Sequence, residues 1–333
     1  MPTNVLTPIH RRLPLAGIAA PVSSMAFTSS ARKNNMSAST LRARLQQDAQ
    51  AVFGPPSSLP TPLEPLQLRK LLLPDAASAS ALPITKAIWN NHLPVTVHTA
   101  PGNKLDRYAE ALREGCCMPL GGSEYARRCM SLLGVPVPQM NCYPKPLLAY
   151  MLHMPRKVTA SVALVAPRPV FVKPVASGLF PAFVLRQDES DMTAQDLAAL
   201  GELLDLPHDE HVWVASELPL ASEWRYFVLS GEVIGYSPIA PVTPGTLEPD
   251  LEEVSGIVTR LPTDIPVAID MGVLEDGTTT LLRVRDPWTL EYLPYGDDRP
   301  KPLAFLAFVW ERWAQVYAGS RFQAANSALL PIS

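Results

Sequence analysis

Val212-Trp213-Val214-Ala215-Ser216-Glu217-Leu218-Pro219 is an apolar run that ends at an acid and a proline. Its β-branched and aromatic residues predict a strand from His211 to Ser216, and Pro219, which has no N–H to donate, predicts the break that follows. Upstream, Ala194 to Leu206 has the spacing of an amphipathic helix. Before it, Val170-Phe171-Val172-Lys173 and Phe180 to Arg186 read as strands joined by a tight Ala-Ser-Gly turn. Downstream, Arg225 to Leu229 and Glu232 to Tyr236 flank a Ser230-Gly231 turn. Val267 to Met271 and Thr279 to Arg285 form a second hairpin around Glu275-Asp276-Gly277, and Leu303 to Ala318 predicts a closing helix. Antiparallel strands with few helices predict an α+β sheet that clamps a ligand.

Several of these positions carry chemistry. Lys173 ends its strand just before a Gly-containing turn, where an ammonium and backbone N–H groups can hold phosphate oxygens. Alone it reads first as a surface lysine on a strand. The Ser216 to Pro219 break has the form of a hinge whose backbone reads the edge of an adenine between apolar walls. In Glu223-Trp224-Arg225 the acid can accept ribose hydroxyls and the arginine can point at a phosphate or carboxylate. Taken singly, Glu223 and Arg225 are also an ordinary surface pair.

The order of these pieces resembles the ATP-grasp superfamily. The lysine-proline strand, the Ser-Glu hinge, the Glu-Trp-Arg strand and the turn from Ala268 through Asp270 to Gly277 follow the family's sequence. The set is most similar to the bacterial and phage clade named for two arginines and one lysine. Pro119-Leu120-Gly121-Gly122-Ser123-Glu124-Tyr125, Tyr143-Pro144 and Arg156 fit the same clade. The resemblance implies ATP and Mg2+ as cofactors and activation of a small-molecule carboxylate as an acyl phosphate, passed to an amine or thiol. It implies that Lys173 holds phosphate, Glu217 and Leu218 the adenine and Glu223 the ribose. Arg225 would face the transferring phosphoryl group as the catalytic residue, and Asp270 would hold magnesium.

The chain departs from the family at the metal site. The family's second strand carries Glu-x-Asn about a dozen residues after the aspartate, whereas this chain has Leu282-Arg283-Val284-Arg285-Asp286. Both expected ligands are arginines, which offer only donors and positive charge, while magnesium needs oxygen ligands. Either the site is degenerate, or Arg283 and Arg285 contact phosphate directly while Asp270 and Asp286 keep one metal. A ligase, a catalytically silent nucleotide-binding module (a pseudoenzyme) and a structural α/β protein with no nucleotide site all remain as readings.

The rest of the chain bounds these readings. Its 333 residues are 47% hydrophobic, enough for one or two domains with cores of their own. A net charge of −3 argues against nucleic acid or an anionic membrane as partner. Cys116, Cys117, Cys129 and Cys142 lack metal-ligand spacing and predict a reduced, zinc-free protein. No apolar run approaches the ~18 residues of a membrane helix, so the chain reads as soluble and cytoplasmic. No Asp or Glu precedes Asp48, yet Arg11, Arg12, Arg32, Lys33, Arg42 and Arg44 do. That leader reads as an organelle transit peptide, as a disordered tail, or as an over-long gene model with Met25 or Met36 as the true start. The 36 prolines are about twice the usual ~5% share and are dense before residue 75.

The expected domains are a leader and linker over 1–80 with one short helix at Leu66 to Leu72, a small α/β domain over 81–165, the ATP-grasp domain over 166–320, and a tail over 321–333. Within the small domain, helices are expected from Thr85 to Asn91, from Lys104 to Glu114, from Ser123 as N-cap through Leu133, and from Pro144 to Met154, with a strand at Pro94 to Thr99. His153, His208 and His211 read as solvated or satisfied histidines, and Trp310, Trp313 and Tyr317 as core.

Overall fold

Leu71, Leu72 and Leu73 are fully buried, in a run whose three consecutive leucines have no polar face to turn toward water. In the computed structural model they belong to strand β1 (Lys70–Leu73), not to the helix expected at Leu66 to Leu72. The strand pairs in parallel with β2 (Thr96–Thr99) on one side and β3 (Cys117–Pro119) on the other. A central parallel strand is covered on both faces and so lacks the alternation that marks a half-exposed strand, which explains the mistaken helix. β1 also lies inside the segment expected to be leader. The structure describes residues 68–138, 141–176 and 179–328; the rest of the expected leader, before Leu68, lies outside them.

Around this three-stranded sheet pack α1 (Ala81–Asn90), a 3-10 segment (Gly102–Tyr108) running into α2 (Ala109–Arg113), and α3 (Gly122–Leu133). The latter starts one residue before Ser123, and no side chain caps it. The helix expected from Pro144 to Met154 is a shorter 3-10 segment, Lys145–Tyr150.

Two four-stranded sheets follow. The first has the order β4-β7-β5-β6, built from β4 (Arg156–Thr159), β5 (Val170–Pro174), β6 (Phe183–Leu185) and β7 (His211–Ser216). Helices α4 (Ala160–Leu164) and α5 (Ala194–Leu204) complete its core, the latter started by a Thr193–Asp196 capping box. The second sheet has the order β11-β10-β8-β9, from β8 (Leu220–Leu229), β9 (Glu232–Pro238), β10 (Val267–Leu274) and β11 (Thr279–Arg285). All pairs in both sheets are antiparallel. Glu217-Leu218-Pro219 is the whole connection between them.

One face of the second sheet buries Tyr226, Val228, Ile269, Met271 and Val284, covered by α6 (Leu251–Val258) and the Lys145–Tyr150 segment. On the other face Phe227 packs edge-on against Phe305 and Phe308, with ring centroids 5.6 and 5.7 Å away. Those rings lie on α7 (Pro302–Ala328), which also joins the core of the three-stranded sheet. The expected α+β architecture with a small preceding α/β domain is therefore present. Among the described residues no helix is long and apolar enough to cross a membrane.

Candidate functional site

Alternation along β8, β10 and β11 sends Glu223, Arg225, Asp270, Arg283 and Arg285 to the face opposite the Ile269 core. Arg225 and Arg283 each stand directly opposite Asp270, so the three form one row across neighbouring strands. Glu223 lies one row away, opposite Gly272, and Arg285 one row the other way, opposite Ala268. A shift of register beside Asp270 leaves Leu282 as the extra residue of β11; the two arginines both follow it and keep a common face.

Asp270 is fully buried. Arg225 grips it bidentately, Nε donating to Oδ1 at 2.7 Å and Nη2 to Oδ2 at 3.1 Å. Arg283 Nε donates to Oδ2 at 2.7 Å, and Arg285 Nη1 lies 3.9 Å from the same oxygen. Burial alone would raise the Asp270 carboxyl; the charges of Arg225, Arg283 and Arg285 hold it well below the usual carboxylate range instead. The arginines differ in access. Arg225 has 6% of its side chain exposed, Arg283 21% and Arg285 29%. Burial, partly offset by Asp270 and reinforced by Arg225 and Arg283, pushes Arg285 down to about 10, which leaves it charged at neutral pH.

Lys173 approaches from the other sheet. Its Nζ donates to Cys142 Sγ at 3.3 Å and lies 5.7 Å from the centre of the Tyr143 ring. Cys142 runs beside β11, its carbonyl accepting from Val284 N at 2.9 Å. The Lys173 ammonium is thus brought next to the arginine strand. Burial lowers its pKa, and Arg283 and Arg285 lower it further against the pull of Cys142. Tyr143 packs edge-on against Trp213 of β7, with centroids 4.7 Å apart.

Glu217 and Leu218 line an open cleft of about 420 Å³ with Pro169, Ser216 and Pro219. The Glu217 carboxylate pairs with Arg186, at 2.6 and 3.2 Å, which fixes the joint to β6 and leaves the backbone as the part that can read a base. Glu223 makes no side-chain hydrogen bond among the described residues. Burial raises its carboxyl, while Arg283 and Arg225 counter the rise.

Asp286 is not part of this group. Arg312 of α7 holds it through Nε at 3.0 and 3.1 Å and Nη2 at 2.9 Å. Asp286 lies just past the end of β11, where the chain turns into the segment that packs against α7. Asp286 thus has an arginine partner of its own, distinct from the Arg225 and Arg283 that engage Asp270, which speaks against the expected sharing of one metal. Among the described residues no group of three His, Cys, Asp or Glu could hold a metal. One carboxylate with both oxygens engaged by guanidinium groups does not fit a magnesium ion, which needs several free oxygens in near-octahedral array.

Sequence reasoning missed four residues that matter in or beside this group. Arg186 gave no signal beyond ending a strand. Cys142 gave none, although Tyr143 beside it belongs to the clade's upstream pattern. Arg312 lies 26 residues from Asp286, beyond any local spacing rule. His153, expected to be solvated or satisfied, is buried against Tyr143, with Nδ1 lacking a partner among the described residues. Burial lowers its pKa, although a backbone hydrogen bond at Leu282 opposes the shift.

Residues 155–301 match a family model of the ATP-grasp domain, the second family of the clade named for two arginines and one lysine. This stretch is an ATP-grasp domain. The match starts at β4 and ends just before α7, so the ATP-grasp domain holds both four-stranded sheets and the joint between them. Comparison with curated protein sequences gave no match. Among solved structures the chain is similar to an L-amino acid ligase from Bacillus licheniformis, at 12% identity over 66% of this chain and 68% of that one, TM-score 0.40. It is also similar to an N5-carboxyaminoimidazole synthetase from Staphylococcus aureus, at 9% identity over 73% and 77%, TM-score 0.44. A D-alanine–D-alanine ligase from Bacillus anthracis is 12% identical over 78% and 99%, TM-score 0.37. Likenesses this loose say nothing about substrate or activity.

Proposed function

We propose that the ATP-grasp domain binds ATP or ADP in the cleft between its two four-stranded sheets and acts as a nucleotide-binding module whose magnesium site is lost. The base would lie against Ser216 to Pro219, with the backbone of Glu217 and Leu218 reading its edge. Glu223 would accept the ribose hydroxyls. Lys173, Arg283 and Arg285 would meet the phosphates, and Arg225 would hold Asp270 in place rather than touch the ligand. The observation that carries this reading is the engagement of both Asp270 oxygens by Arg225 and Arg283. Phosphoryl transfer depends on metal ions that bridge and neutralise the phosphates. A site that has exchanged those ligands for fixed cations keeps the means to bind and loses the usual means to transfer.

Thermal shift of the full chain with ATP and with ADP tests the binding. Ligand at 100 times its dissociation constant stabilises the fold by about 2.7 kcal/mol. No shift with either nucleotide at millimolar concentration would leave a structural α/β protein as the better description.

The ligase reading draws support from the cluster of Lys173, Arg283 and Arg285 beside the partly buried Glu223, which supplies positive charge without a metal. Under that reading a small-molecule carboxylate is the partner, and ADP accumulates when ATP is incubated with mixed carboxylic acids and amines. The binding-module reading expects no ADP above the rate without protein.

A further inference from the structure

Resting on the nucleotide reading, we infer that the ligand of this cleft is the metal-free nucleotide, and that magnesium opposes its binding instead of assisting it. Four cations, Arg225, Arg283, Arg285 and Lys173, gather around two acids, Asp270 and Glu223. Arg225 and Arg283 already satisfy both oxygens of Asp270. Arg283 gives only its Nε to that carboxylate, so its two terminal nitrogens remain to donate. Arg285 makes one loose ion pair at 3.9 Å and donates no hydrogen bond among the described residues. Both are partly open to solvent, and Lys173 stands beside them with a thiol as its hydrogen-bond partner.

Partly buried cations crowded in this way repel one another, and an arriving polyanion relieves the repulsion. A planar guanidinium matches phosphate oxygens through two parallel donors. Magnesium on the β and γ oxygens cancels much of the charge these cations would meet. It also occupies the same oxygens and adds a divalent cation beside fixed positive charge. In a site with carboxylate ligands the ion is the bridge between protein and phosphate; with Arg283 and Arg285 in that place it becomes a competitor for the phosphate.

Calorimetric titration of the full chain with ATP, at matched ionic strength, decides the matter when run once with excess EDTA and once with excess magnesium chloride. The expected result is binding at least roughly tenfold tighter in EDTA, tenfold being about 1.4 kcal/mol. Arg285→Gln should bring the two constants together, and Arg285→Lys, which keeps the charge, should retain part of the difference. Melting curves of both variants without nucleotide confirm that they are folded, since Arg285 makes only the loose contact with Asp270. Equal affinity in the two conditions, or tighter binding with magnesium, overturns the inference while leaving the nucleotide reading intact. Absence of binding in both conditions defeats the nucleotide reading, and the inference with it.

Discussion

Asp270 faces Arg283 across the β10–β11 ladder, and Arg283 Nε donates to Asp270 Oδ2 at 2.7 Å. On the other flank Arg225 holds the same carboxylate from β8, so a fully buried negative charge ties three strands together. A buried ion group of this kind is costly to break from one side, because the remaining charges lose their partner in a medium that cannot solvate them.

Asp270→Asn should therefore destabilise the protein by about 3–5 kcal/mol, the range for removing one member of a buried pair. Denaturant unfolding measures it directly. Asp286→Asn, which frees Arg312 beyond the end of β11, should also lower stability but leave ATP affinity unchanged. Equal loss of affinity in both variants would contradict the separation of the two aspartates.

Lys173 makes an opposite prediction for stability. Its folded-state pKa is lowered by burial and by Arg283 and Arg285, so its charge opposes folding at neutral pH. Lys173→Met, of similar length and uncharged, should raise the melting temperature of the ligand-free protein. The same change should weaken ATP binding by about 1–3 kcal/mol, the worth of a charge-assisted hydrogen bond. A variant that is both less stable and equally good at binding would mark Lys173 as purely structural.

His153 supplies a pH test. Burial lowers its pKa in the folded protein, so below the unfolded value of about 6.5 the unfolded chain takes up protons that the folded chain refuses. Stability from this residue is complete above about pH 7 and falls as the pH drops through the unfolded value. His153→Gln should flatten that fall between about pH 7.5 and 5.5, as followed by urea midpoints. An unchanged slope would place the titrating group elsewhere.

Much of the candidate site could be proposed from the sequence because its pieces are local. Lys173 before its proline, the strand ending at Ser216-Glu217, and the Glu223-Trp224-Arg225 strand each announce themselves by a short pattern. The spacing from Asp270 to Arg283 follows from a hairpin, so their meeting could be read by counting. What the sequence hid was long-range. Nothing near Asp286 points to Arg312, and nothing near Glu217 points to Arg186. Strand β1 was hidden for a different reason: a leucine run satisfies helix and buried parallel strand equally, and only β2 and β3, brought to its two sides by the fold, decide between them.

That strand gives a further prediction. Leu72→Ala should cost about 2–5 kcal/mol, as expected for truncating a fully buried leucine. Chains beginning after Leu73 should fail to give a cooperative unfolding transition, because the central member of the parallel sheet is gone. A truncated chain with wild-type melting behaviour would show that β1 contributes little to the fold.

Under the proposed function, the two four-stranded sheets of the ATP-grasp domain close on one nucleotide. The most direct measurement is a crystal structure of the full chain grown with ATP and EDTA. The expected result is a base held in the cleft lined by Pro169 and Ser216 to Pro219, with phosphate oxygens within hydrogen-bond distance of Lys173 and Arg285. A nucleotide bound elsewhere, or a cleft that stays empty at a concentration that saturates binding in solution, would contradict it.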